Sequence, residues 1–430
     1  MVGRRVVPVL VSLAAGAAVA SVGPLAGVAH ADTPMCGGKA ATIVSSADFV
    51  YGTAGDDVIV ATGAKQFVYG GDGNDTICGS GGYAGVGGAG NDEIFGSGGT
   101  DNLFGDDGAD TLHGGGGNDT LHGGAGNDWI GGWTGDDTVY GGDGDDTISG
   151  GDGNDELYGG GGEDTIHGDA GDDTVQGQGG DDRVFGDDGV DVIYGDSTTA
   201  QADDGADGLY GGDGDDRIYA GAGADIVSGD AGNDTIHGGD GNDWLGGAAG
   251  NDTIHGDAGN DLIGGAAGND TIHGDDGNDT VTSGAGNDTV NGDDGDDGIR
   301  GGTGDDTLHG DDGHDTIRGD DGADYLYGDD GADYLYGGDG VSPYNDGGPG
   351  DGGDHIYGGD GDDTIRGEGG NDYLNGDSGH NKVYGDDGND HLTTGYFGRS
   401  VADGGAGSNY CSAHFWSAYH CMATEGPFVG

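Results

Sequence analysis

A nine-residue period governs this chain. From Gly87 the sequence reads GGAGNDEIF, GSGGTDNLF, GDDGADTLH, GGGGNDTLH and continues in phase for twelve units to Tyr194. Residues 195–201 interrupt it, and fifteen further units run over 202–336. Residues 337–348 interrupt it again before five last units over 349–393. Earlier copies stand at 52–60 and 70–78. A period of this kind signals a repeat architecture, in which each unit buries its apolar side only against its neighbours. Position 4 of the unit is Gly and position 8 is Ile, Leu or Val. Position 6 is Asp in 31 of the 32 in-phase units, Asn381 being the exception.

This pattern resembles G-G-x-G-x-D-x-U-x, the nonapeptide of RTX (hemolysin-type) calcium-binding proteins, over residues 87–393. The resemblance implies an all-β fold, a parallel β-roll solenoid with two nonapeptides per coil and small terminal caps. The residues agree with it. Positions 7–9 suit a three-residue strand with position 8 pointing inward and positions 7 and 9 outward. Positions 1–6 suit a turn in which glycine supplies positive φ. Units 18 residues apart then stack at ~4.8 Å, and sixteen coils make a rod of ~75 Å. Each coil buries only two aliphatic side chains, so the turns need another source of cohesion.

Composition identifies that source. Of 430 residues, 113 are Gly, 82 are acidic and 11 basic, giving a formal charge of −71. Such a balance excludes a nucleic-acid binder, which requires a basic footprint, and disfavours docking on anionic lipid. Stacking brings position-6 carboxylates of successive coils together, as with Asp234 and Asp252, and like charges that close repel unless a cation sits between them. An all-oxygen set of carboxylates and turn carbonyls suits Ca²⁺ better than Mg²⁺, and the family resemblance implies the same ion. The expected metal ligands are therefore the position-6 residues Asp92, Asp101, Asp110, Asp119, Asp128, Asp137, Asp146, Asp155, Asp164, Asp173, Asp182 and Asp191 in the first block. In the second they are Asp207, Asp216, Asp225, Asp234, Asp243, Asp252, Asp261, Asp270, Asp279, Asp288, Asp297, Asp306, Asp315, Asp324 and Asp333. In the third they are Asp354, Asp363, Asp372 and Asp390. Pairing them coil to coil implies about 25 Ca²⁺ ions, which leave the mature chain near about −23. Asp106, Asp107, Asp275 and Asp276 at other turn positions add to the acidic excess. Coupled folding and binding follows, because the empty roll holds like charges at close spacing.

The termini depart from the repeat. Arg4 and Arg5, an apolar stretch over 6–22 and Ala29-His30-Ala31 read as a secretory signal peptide over residues 1–31, with Asp32 as the mature start. Export, an extracellular location and no membrane span after cleavage are expected. RTX proteins mostly carry a C-terminal secretion signal instead, so the export machinery inferred here differs. Residues 32–86 form an expected N-terminal cap with degenerate repeats, and 394–430, rich in aromatics, an expected C-terminal cap. Cys36, Cys78, Cys411 and Cys421 permit three disulfide connectivities, of which Cys36–Cys78 with Cys411–Cys421 is the local one.

The outward faces differ between coils. One sheet displays His237, His255, His273, Asn291 and His309 at position 9, either a transition-metal row or a packed polar ladder. The other displays Ile226, Trp244 and Leu262 at position 7, a strip suited to an extracellular glycan or protein partner. Neither H-E-x-x-H nor G-x-S-x-G occurs in this sequence, and Asp pairs recurring thirty-fold do not read as an active site. The expected function is non-enzymatic: a secreted calcium-binding protein that is structural or adhesive outside the cell. The rival is a carbohydrate- or partner-binding module that uses Trp244 or the C-terminal aromatics.

Overall fold

The computed structural model describes residues 34–197, 205–338, 353–394 and 400–412. These residues form strands and turns only, arranged as a parallel β-roll. Two ladders of twenty parallel strands each make its faces, and successive units alternate between them. Leu103 pairs with Leu121 in one ladder while Leu112 pairs with Ile130 in the other, both at a step of 18 residues. The cause is the repeat itself. A position-8 aliphatic every nine residues, always inward, gives two inward side chains per coil, and Leu112, Leu121, Ile130 and Val139 are all 0% exposed. The core is one column of such residues running from Val50 to Ala402.

The strands are longer than the expected three residues through most of the roll. Thr111–Gly116 and its equivalents continue through positions 1–3 of the next unit. Position 1 steps out of the pairing, after which Asp106 pairs with Gly124 and Asp107 with Ala125. The kink lies at position 2, where the backbone adopts φ of 73° at Asp106 and 118° at Gly124. From Thr271–His273 onward three-residue strands become common.

Both interruptions leave the register intact. Arg183 pairs with Gly208 and Tyr325 with His355, so the strand pairing resumes in register across both. The ladders also continue beyond the in-phase units. Phe49–Tyr51 and Phe67–Asp72 extend one sheet toward the N-terminus, and Tyr410–Ser412 extends it past residue 393. A short antiparallel hairpin, Met35–Cys36 with Lys39–Ala40, lies at the N-terminal end. The Cys36–Cys78 disulfide fixes it to the roll, and the Lys39 ammonium reaches Glu93 at 3.2 Å. Cys411 is disulfide-bonded, whereas Cys421, the signal segment and the aromatics Tyr396, Phe397, Phe415, Trp416, Tyr419 and Phe428 lie outside the described residues.

Candidate metal centre

The position-6 aspartates sit at the end of each turn, just before the inward aliphatic, and are buried despite their charge. Asp110, Asp128 and Asp146 are 2–3% exposed. Each uses one oxygen on the neighbouring coil: the Asp92 N–H donates to Asp110 Oδ1 at 2.7 Å, and the Asp110 N–H donates to Asp128 Oδ1 at 2.7 Å. The other row does the same, with Asp234 N–H donating to Asp252 Oδ1 at 2.9 Å, while the first chain runs on through Asp164 N–H to Asp182 Oδ1 at 2.8 Å. It crosses both interruptions, from Asp182 to Asp207 and from Asp333 to Asp363. The contact between coils expected for Asp234 and Asp252 thus runs from a backbone donor to one carboxylate oxygen.

The second oxygen has no such partner. From Asp110 to Asp333, every position-6 Oδ2 is buried with no hydrogen-bond partner within the protein, as are those of Asp75, Asp92, Asp363 and Asp390. Buried polar atoms are nearly always paired, and leaving an anionic one bare is costly. Beside most of them lies a glycine at position 1, whereas Asp225 has Ala220 and Asp288 has Ser283 there. A methyl group at Gly123 would meet Asp128 Oδ2 at 2.3 Å and the Gly141 carbonyl oxygen at 2.5 Å. The absence of a side chain there leaves a cradle shared by a carboxylate oxygen and a main-chain carbonyl. Oxygens of like sign facing one space require a proton or a cation between them.

The electrostatics agree. Burial pushes the carboxyls upward, neighbouring carboxylates add to the shift, and the accepted N–H only partly offsets it. Asp173, Asp182 and Asp363 are raised to about 8, and Asp137, Asp146 and Asp234 to about 7. Without a cation these groups hold protons near neutrality.

The exceptions show what fills the space otherwise. At Asn381 the amide Nδ2 donates to the Gly376 carbonyl oxygen, while Oδ1 accepts the Asp363 N–H at 2.9 Å. Asn409 repeats this with Gly404 and the Asp390 N–H. An amide thus supplies from within the side chain the positive hydrogen that a carboxylate lacks. Asp101, expected among the ligands, has its Oδ2 engaged by the Ser97 N–H at 2.8 Å, which sets it apart from the rest of its row. Toward the N-terminus Asp57 Oδ2 is held by Thr53. Asp75 was outside the expected set, yet its Oδ2 is bare like the others. Its signal is the early copy GGDGNDTIC, in which it is the sixth residue.

The donor set is therefore carboxylate and carbonyl oxygen without nitrogen or sulfur, repeated along two edges of the roll. It fits a hard divalent cation that tolerates flexible oxygen coordination, which describes Ca²⁺ better than Mg²⁺. A family model for the RTX calcium-binding nonapeptide repeat (4 copies) matches residues 51–83, 86–112, 104–139, 131–166, 140–175, 167–198, 201–236, 237–272, 273–308, 309–341, 349–383 and 369–395. No curated protein matches the sequence.

Proposed function

The chain belongs to the RTX calcium-binding nonapeptide repeat family, and from that membership we propose that it is an exported, non-enzymatic protein that folds on binding about 25 Ca²⁺ ions and serves a structural or adhesive role outside the cell. The observation that carries this reading is the unbroken succession of bare Oδ2 atoms from Asp110 to Asp333. The residues that would hold the ions are the position-6 aspartates with the adjoining turn carbonyls, joined by Asp75. Calcium supplies charge neutralisation between coils, and the chain supplies the oxygens and the glycine cradle that admits it. Millimolar calcium outside the cell then acts as the signal to fold after export.

Metal analysis of the mature chain, dialysed in calcium and freed of loose ions, tests the reading. It is expected to return about 25 calcium atoms per chain. A handful or none refutes it. Recovery of the protein from cells with residues 1–31 retained, inside the cytoplasm, refutes export.

A second reading is favoured by one strip. Trp244 is 61% exposed, between Ile226 at 49% and Leu262 at 44%, and the three are direct ladder neighbours. Such a patch suits a glycan or protein partner. A Trp244→Ser variant that keeps all glycan binding and self-association argues against it.

A further inference from the structure

The histidine ladder stands at position 9, on side chains distinct from the position-6 aspartate rows, and has chemistry of its own. The rings of His237, His255 and His273 stack at 4.8 Å between centroids, nearly parallel. Each imidazole also meets a carboxylate from the next coil. His237 Nδ1 lies 3.3 Å from Asp257 Oδ2, His255 Nδ1 lies 3.1 Å from Asp275 Oδ2, and His273 Nδ1 lies 3.0 Å from Asp293 Oδ2. His309 Nδ1 lies 3.1 Å from Asp329 Oδ2. These aspartates occupy position 2, not position 6. The same kinked backbone that sends the strand around the corner carries them, with positive φ at Asp257, Asp275, Asp293 and Asp329.

Two clusters gather three ligand atoms. One atom each from His255, His273 and Asp275 lies within 4.8 Å of the other two, as does one each from His309, Asp311 and Asp329. Ligands sharing a tetrahedral ion with bonds of about 2.0–2.1 Å stand about 3.3 Å apart. The His255–Asp275 separation already meets that requirement, and His273 joins when its ring turns out of the stack toward the shared space. All three side chains are partly open to water, which leaves room for a fourth ligand. Nitrogen and carboxylate together favour zinc, copper or cobalt over calcium. His167 marks the contrast. It too has an aspartate partner, Asp187 at 2.9 Å, but the ring stacked on it is Phe185 and offers no ligand.

We propose that His255, His273 and Asp275 form a binding site for a divalent transition-metal ion, repeated at His309, Asp311 and Asp329. The site needs the folded roll but not the identity of the turn ions, so the calcium-saturated mature chain is the proper material. Its visible absorption is followed during titration with Co²⁺, whose bands report nitrogen–oxygen coordination of low symmetry. The expected result is Co²⁺ uptake in excess calcium, displaced by Zn²⁺, and a loss of about one equivalent in the His255→Asn/His273→Asn variant. Asparagine is compatible with this ladder, because Asn291 already stands in it and contacts His273 at 3.3 Å. Asp275→Asn keeps both imidazoles and is expected to weaken Co²⁺ binding about tenfold or more. Circular dichroism in calcium checks that each variant retains the roll. Absence of Co²⁺ bands in the unaltered chain, or bands unchanged in both variants, overturns the proposal. Loss of binding as calcium is raised would assign the metal to the turn carboxylates and overturn it equally.

Discussion

At the scale of the residue, the turn is a competition for one small space beside a glycine. Carboxylate oxygen, amide nitrogen and cation are alternative solutions, and the chain uses the first with the third, or the second alone. Asp252→Asn is therefore expected to act differently from Asp252→Ala. The amide can donate to the Gly247 carbonyl as Asn381 does to Gly376, so this variant binds fewer calcium ions yet folds at lower calcium. The alanine variant loses the ion and leaves Asp234 N–H without its acceptor, which costs about 1–3 kcal/mol and raises the calcium needed. Equilibrium calcium titrations of both variants check the contrast, and identical midpoints contradict it. Gly123→Ala places a methyl 2.3 Å from Asp128 Oδ2 and is expected to destabilise the loaded roll by about 1–3 kcal/mol or more, as read from thermal melting in calcium. Most of this site was legible in the sequence, since one phase of nine carries the aspartates. What the period could not reveal was the private partner of Asp101. Ser97 occupies a variable position, and only the folded turn brings its N–H to that carboxylate.

At the scale of the element, each strand contributes one inward side chain and two outward ones. The buried column is so thin that every member matters. Ile254 is 0% exposed between Ile236 and Ile272, and Ile254→Ala is expected to cost about 2–5 kcal/mol. Melting of the calcium-loaded protein measures it, and a change below about 1 kcal/mol would contradict a close-packed column. Strand position and facing were readable from the repeat, as was the placing of the histidine row and the Trp244 strip on opposite sheets. Strand length was not. Glycine and aspartate at positions 1–3 have poor strand propensity, but in a roll they are held extended by the coils above and below. The same coupling hid the aspartates beside the histidines, because residues 20 apart in sequence meet only once coils stack.

For the whole molecule, charge decides when the roll exists. The raised carboxyls of the ion-free roll, at about 6 to about 8, lie above the value of about 3.9 in an unfolded chain. The folded state therefore holds protons that the unfolded state has released between about pH 4 and pH 8, so in chelator its stability rises as pH falls through that window and is lost as pH rises. Acidifying the calcium-free chain from about pH 8 to about pH 5 is expected to increase its β-sheet circular dichroism. A signal that falls or stays flat would contradict the burial of these groups. Toward the ends, Asn381, Asn409 and Asp57 have no bare oxygens while Asp75 and Asp390 keep theirs, so the terminal coils hold fewer ions than the middle.

The central claim is that calcium and the fold are one equilibrium. Calcium titration of the mature chain at neutral pH, followed together by circular dichroism and small-angle scattering, tests it most directly. A chain that is expanded and lacks β-structure in chelator, and that becomes a β-rich rod of ~4.8 Å per coil in millimolar calcium, is the predicted result. A spectrum and a scattering profile unchanged by chelation would contradict the account.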